Sequence, residues 1–457
     1  MIATERAQRP RPEATRPRQN SLTILALAGS LGIGIACSMA LFPVQVAVVL
    51  VLAMLVALMA LVDIWSTVIL LIVARSSLDV FADRAVFGGF NVAGVLAAAL
   101  IVLGVAHLVL NRVKVSELPL TQPFLALLAV LAFGLSYSQD TLAAVQDWVR
   151  MLGSFMLYVL MVSVLTNDTR RASLIRALLL SAIIPLVVGV YQLATGSGDD
   201  YTQGFIRIQG TFVHPSPYAF YLLTVLPFAA ALAGHARPGW SRLGLILMAG
   251  TAAASVLFTF TRIAWLGLVL TLLVLTRAKR WMLLAVLGGV VLVYVFAPAV
   301  QDRLSDATSE SGSGTWRLEQ WQAVLALPSV AQYPTGLGLG AVESLTGIET
   351  HNDYLKMLVE GGILGFAALL WLYISLFKHT IAATRLAESR FHQAIATAFL
   401  AVLVARAAMC VSDNIIGIPV VEWYFWSLAG LTVALVPRPN DRPTRAPALA
   451  GHPGSRP

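Results

Sequence analysis

The stretch THNDYLKMLVEGG, from Thr350 to Gly362, sets a histidine, His351, among acids and amides in a chain that is otherwise mostly apolar. A helix starting near Asn352 or Asp353, with Thr350 or Asn352 as N-cap, places His351 where exposed backbone N–H groups favour an anion. Histidine titrates near neutral pH, so at such a place it can take the proton of a hydroxyl. On position alone, an amphipathic anchor at a membrane surface is the stronger reading. Glu343, Glu349 and Asp353 lie around it in sequence, but no second histidine stands at ligand spacing. A metal site is therefore not expected, and these acids read as solvated loop residues.

Six arginines form the other chemical set: Arg75, Arg150, Arg207, Arg262, Arg303 and Arg317. Guanidinium forks match phosphate oxygens bidentately, and several at one end of a helical bundle would make a receptacle for a diphosphate whose lipid tail lies between helices. For Arg262, in FTFTRIAWLG, two readings stand: it faces a cavity, or it snorkels to the headgroups. Arg150 has Asp147, and Arg75 has Asp79, within one helical turn as ready partners. Arg303 reads as a solvated loop residue beside Asp302 and Asp306. His214, in GTFVHPSPYAF, is stiffened by Pro215 and Pro217 and reads first as structural, with lining the same chamber as its alternative. The glycine-rich YPTGLGLGAVES lacks both the Walker lysine and a preceding strand, so it is not a nucleotide loop, and no ATP site or other cofactor is expected.

These residues need a scaffold, and composition says which kind. Hydrophobic residues make up 58% of the chain and charged ones 12%, against about 25% charged in soluble domains. Runs of roughly 17 to 25 apolar residues recur from Leu22 to Val436, the length of a membrane-crossing helix, without the alternation of a β-barrel. The expected fold is an all-α polytopic membrane protein with about 12–14 spans. The two cysteines, Cys37 and Cys410, fall inside apolar runs and suggest no disulfide. The apolar run after the arginine-rich start is too long for a signal peptide, so the start reads as a cytoplasmic tail.

Arginine and lysine set the sidedness. With the N-terminus inside, the loops holding Arg112 and Lys114, Arg170 and Arg171, Arg237 and Arg242, Arg277 to Arg280, and Lys378 to Arg390 are all cytoplasmic, as is the tail with Arg438, Arg442 and Arg445. The net charge of +8 thus serves orientation, and nucleic acid is not an expected partner. The organisation that follows is a disordered basic tail over 1–20, membrane helices over 21–299, a long external loop over 300–362, further membrane helices over 363–437, and a second cytoplasmic tail over 438–457. His351 and the six arginines then fall on or near the external face.

Taken in order, GTFVHPSPYA, TFTRIAWLG, WRLEQWQAVLALPSVAQYPTGLGLG and THNDYLKMLVEGGILG resemble the O-antigen ligase and polymerase superfamily of bacterial envelope glycosyltransferases over Arg207 to Trp371. The resemblance implies a metal-independent, inverting transfer of a glycan from undecaprenyl diphosphate to an acceptor glycan or lipid A core, at the outer face of the cytoplasmic membrane. It makes His351 the base for the acceptor hydroxyl and Arg262 and Arg317 the holders of the diphosphate, with Arg207, Arg75 and His214 as further contacts. Ser216 stands where the family commonly shows asparagine. Ligase and polymerase share these motifs. The competing class is a transporter or flippase, which would place its ionisable residues near mid-span in two related halves; here they gather at one face. A scaffold protein has no need of unpaired external arginines.

Overall fold

The computed structural model describes residues 63–436, except 83–84, 88–89, 202–204 and much of 277–312. The expected spans Leu22–Leu41 and Val44–Leu61, both tails, Arg303 and most of Trp281–Pro298 lie outside the described residues. From Ile64 onward the chain forms one compact unit. It is a helical bundle: α1 (63–75), α2 (Val92–Leu110), α3 (Thr121–Gly134), α4 (Thr141–Val164), α5 (Asp168–Thr195), α6 (Pro215–His235), α7 (Trp240–Phe258), α8 (Arg262–Thr276), α9 (Ser313–Leu325), α10 (Ala341–Thr346), α11 (Asp353–Glu360), α12 (Gly362–Leu386), α13 (Arg390–Met409) and α14 (Pro419–Val433). Six of these, α4 to α7 with α12 and α13, are long and apolar enough to cross a membrane. Two small antiparallel hairpins, β1 (Ala85–Phe87) with β2 (Phe90–Asn91) and β3 (Asp199–Tyr201) with β4 (Phe205–Arg207), are additions that the apolar pattern does not announce.

Helix starts follow local capping chemistry. Asp140 accepts from Ala143 N at the start of α4, Asn167 from Arg170 N at α5, and Ser389 from His392 N at α13, each satisfying a backbone donor that the first turn leaves open. Pro185 interrupts α5 and has no N–H for the carbonyl of Ser181; the hydroxyl of Ser76 donates to that oxygen instead, at 2.7 Å. Tyr424 on α14 donates to Ile72 O at 2.6 Å and accepts from Ser76 N at 3.3 Å, tying the last described helix to the first.

Chain direction assigns two ends to the bundle. His107 near the end of α2 meets Ser163 near the end of α4 at 2.8 Å, Arg171 donates to Ala434 O, and His392 lies 3.3 Å from Asp168. The basic connections before α5 and α13 therefore share one end. The starts of α4, α6, α8 and α12 lie at the other.

At that other end a helix is broken on purpose. The segment α11 ends at Glu360, Gly362 adopts φ +67°, and α12 departs in a new direction. The break leaves backbone groups open, and Tyr333 to Gly338 supplies partners to both sides. Leu337 N and Gly338 N donate to Val359 O and Glu360 O, while Ile363 N and Leu364 N donate to Tyr333 O and Pro334 O. A Cβ on Gly362 would lie 2.5 Å from Gly336 N and from Pro334 O. Gly362→Ala should thus lose roughly 2–4 kcal/mol from left-handed strain and overpacking together, read as thermal unfolding in detergent. Gly250→Ala, inside α7 with open space around its Cβ, should be neutral or slightly stabilising; equal melting of the two variants would refute the stitched break.

Candidate functional site

The cavity end encloses a space of about 740 Å³ whose wall includes His351, Arg262, Arg317, Arg207 and His214. Five residues that the sequence singled out are thereby brought together. Arg150 also reaches this wall, bound to Asp147 at 2.8 Å as their spacing predicts. Arg75 does not line it: its side chain is buried, bound to Asp79 at 2.8 Å, with its guanidinium 5.9 Å from the ring centroid of Trp423.

His351 precedes α11, whose N-cap is Asn352, the side chain accepting from Leu355 N at 3.0 Å. The histidine itself has φ +48°, a left-handed conformation rare outside glycine. Strain of this kind is retained where the surroundings over-determine it. Here the next residues are held by the loop between α13 and α14: Asn352 N donates to Asn414 Oδ1, and Asp353 N to Cys410 O. The same loop carries Asp413, whose Oδ1 lies 3.6 Å from His351 Nδ1. Trp316 of α9 stands beside the imidazole, ring centroids 6.2 Å apart.

Arg207 and Arg317 each hydrogen-bond a neutral acceptor. Arg207 Nε donates to Thr259 O at 2.7 Å and its NH2 to the Thr261 hydroxyl at 3.1 Å. That pins β4 against the turn that leads into Arg262, the first residue of α8. Gln192 fastens the following turn, accepting from Gln209 N and Gly210 N and donating to Gly210 O. Arg317 NH1 donates to the Ser412 hydroxyl, next to Asp413. His214 caps α6 by accepting from Ser216 N through Nδ1. Its ring opens to the cavity, yet protein around it removes hydration, and this, with the nearby Arg207 charge, pushes its pKa below the ordinary histidine value. Nδ1 thus keeps its lone pair for the cap.

One expectation needs correction. Asp353 is not a solvated loop acid: it is buried, and its Oδ2 accepts from Ile415 N at 2.8 Å and Ile416 N at 3.1 Å. YPTGLGLG, read from sequence only as no nucleotide loop, satisfies the broken helix. The sequence reading also passed over Asp413 and Asn414, although SDN between two apolar runs was the available signal. It passed over Arg406 on α13 and Glu422 on α14 as well, a buried ion pair completed by Tyr373 and Trp426. Charges inside spans are the cue for such pairs.

Apolar helices ending in a cavity walled by four arginines, a lysine, four carboxylates and two histidines define a polytopic membrane protein with a charged, polar site at one end of the bundle. Residues 243–370 match the family described as O-antigen ligase, which supports a place in the O-antigen ligase and polymerase superfamily and a glycosyltransferase-type enzyme. The matched segment holds Arg262, Arg317 and His351; Arg207, His214 and Asp413 stand outside it. No curated protein matches the chain.

Asp353 gives this end of the bundle a pH dependence. Burial raises its carboxyl to about 6 from 3.8, outweighing the amide donors and Arg406 that lower it. The folded state then binds this proton more tightly than the unfolded chain. The associated stabilisation is complete below the ordinary carboxyl pKa and is lost as pH rises through about 6. Asp353→Asn, whose Oδ1 can still accept both amides, should show a shallower fall in melting temperature between about pH 5 and pH 7 than the wild type. Parallel curves would exclude Asp353 as the titrating group.

Proposed function

We propose that this protein transfers a glycan from undecaprenyl diphosphate to an acceptor hydroxyl, on lipid A core or on a second glycan, at the outer face of the bacterial cytoplasmic membrane. The observation that carries this reading is the meeting of His351, Arg262 and Arg317 around one cavity. Its orientation is supported by the basic connections at the opposite end of the bundle, where the positive-inside rule puts the cytoplasm.

The chemistry asks for a base and a place for negative charge. His351 accepts the acceptor's hydroxyl proton as its oxygen attacks the anomeric carbon. The bond from that carbon to the phosphate oxygen breaks, and the diphosphate leaves with the electron pair, so attack from the far side inverts the centre. Asp413, 3.6 Å from His351 Nδ1, stabilises the imidazolium formed, and the proton then passes to water. Arg262 and Arg317 neutralise the departing diphosphate, the role in which preorganised donors lower a barrier most. Arg207 and His214 complete the wall on the Arg262 side, whereas Arg75, outside the lining, takes no part. The donor is already activated, so no nucleotide, metal or other cofactor enters a step.

His351→Ala should lower transfer by about 10²–10⁴-fold, the range of general-base catalysis, while the protein still extracts and melts as the wild type does. Arg262→Lys and Arg317→Lys keep the charge but lose the fork, and should each cost roughly ten- to a hundredfold. The assay is purified protein with a lipid-diphosphate glycan and either lipid A core or a second glycan as acceptor; its product separates ligase from polymerase. Near-normal turnover by His351→Ala would end the base assignment.

A further inference from the structure

The connection between α13 and α14, residues 410–418, touches the site repeatedly. The Ser412 hydroxyl accepts from Arg317, Asp413 faces His351, Asn414 Oδ1 accepts from Asn352 N, and the amides of Ile415 and Ile416 bind Asp353. A connection of this kind has no fixed shape of its own, so its ends must be ordered from outside. Its neck is spanned by the buried ion pair of Arg406 and Glu422. Arg406 stands one helical turn before the loop, its carbonyl accepting from Cys410 N at 2.9 Å. Glu422 stands one turn after it, its N donating to Ile418 O at 3.1 Å.

Both partners are held from behind. Tyr373 of α12 accepts from Arg406 Nε at 3.0 Å, Trp426 Nε1 donates to Glu422 Oε2 at 2.7 Å, and the guanidinium lies 4.3 Å from the ring centroid of Phe425. Stability alone is a weak reason for such a pair, because desolvation cancels most of the attraction and well-packed apolar residues of similar volume often serve as well. Apolar packing between the two helices is already present, with the ring centroids of Phe399 and Phe425 5.5 Å apart. Nor does the pair meet a ligand before His351, since neither side chain lines that cavity. What apolar contact does not supply is direction, and a planar fork on a carboxylate does.

We propose that Arg406 and Glu422 are positioning residues, an ion-pair clasp across the neck of the 410–418 loop that sets Asp413 against His351 and Ser412 against Arg317. The tie runs along the backbone: Arg406 O holds Cys410 N, Cys410 O holds Asp353 N at the head of α11, and the Asp353 carboxylate returns to the amides of Ile415 and Ile416. His351 lies just before that head, so a movement of the neck shifts the acid relative to the imidazole. A misplacement of about 1 Å far from the reacting atoms can cost 10²-fold in rate. The consequence for turnover rests on the glycosyl-transfer reading, whereas the ordering of the loop does not.

The test separates order in the loop from stability of the bundle. Hydrogen–deuterium exchange read by mass spectrometry, thermal unfolding in detergent and glycan transfer are measured on the wild type, on Arg406→Met combined with Glu422→Met, and on Arg406→Lys, which keeps the charge but loses the fork. The double variant should melt as the wild type does, while amides over 410–418 exchange at least roughly tenfold faster, those over 205–213 stay unchanged, and kcat falls at least roughly tenfold. Arg406→Lys should fall between the two in exchange and in kcat. Wild-type exchange over 410–418 in both variants overturns the clasp. So does a lowered melting temperature with exchange rising over the whole bundle alike, which would make the pair a stability element. The expected exchange pattern without transfer by the wild type would leave the clasp standing and sink the transfer reading; normal wild-type transfer with unaltered loop exchange in the variants would do the opposite.

Discussion

Backbone polarity in an apolar setting governs this end of the molecule. The break at Gly361 and Gly362 exposes carbonyls of α11 and amides of α12 where apolar helices surround them, and each must find a partner. Tyr333 to Gly338 provides them through four hydrogen bonds, two to each side. That one exchange fixes the direction of α11, which carries Lys356 and Glu360 and has His351 at its head. The glycines of the segment follow from the closeness of approach, since Gly336 meets the backbone of Glu360 and Gly362 directly.

Charge at the site is arranged by the same economy. Thr259 O and the Thr261 hydroxyl direct Arg207, and the Ser412 hydroxyl directs Arg317. The carboxylates nearby have separate duties. Asp353 fastens the 415–416 backbone, Asp147 holds Arg150, and Asp413 faces the histidine.

Much of this was legible from local rules. The apolar runs at Val92–Leu110 and Ile263–Thr276 meet α2 and α8 to within one residue, whereas α4 starts eight residues before its run at Val149–Thr166 and α12 continues nine residues past its run at Ile363–Phe377. Spacing alone paired Arg75 with Asp79 and Arg150 with Asp147, because i,i+3 and i,i+4 neighbours share a helix face. The Asn352 cap was likewise a short-range matter. What stayed hidden depends on distant chain: the partners of Asp353 come 62 residues later, and the meeting of Arg406 with Glu422 needs two helices side by side. The strands β3 and β4 escaped notice because each is three residues long, too short for alternation to register.

Tyr424 closes the bundle by grasping Ile72 O and Ser76 N across some 350 residues of sequence. The hydroxyl of Ser76, in turn, repairs the gap left by Pro185 in α5. A ribosome feeding this chain into the bilayer releases the early helices long before α14 emerges. Until then the Tyr424 partners must wait, hydrated or provisionally paired, so assembly of the bundle can finish only after α14 has been synthesised.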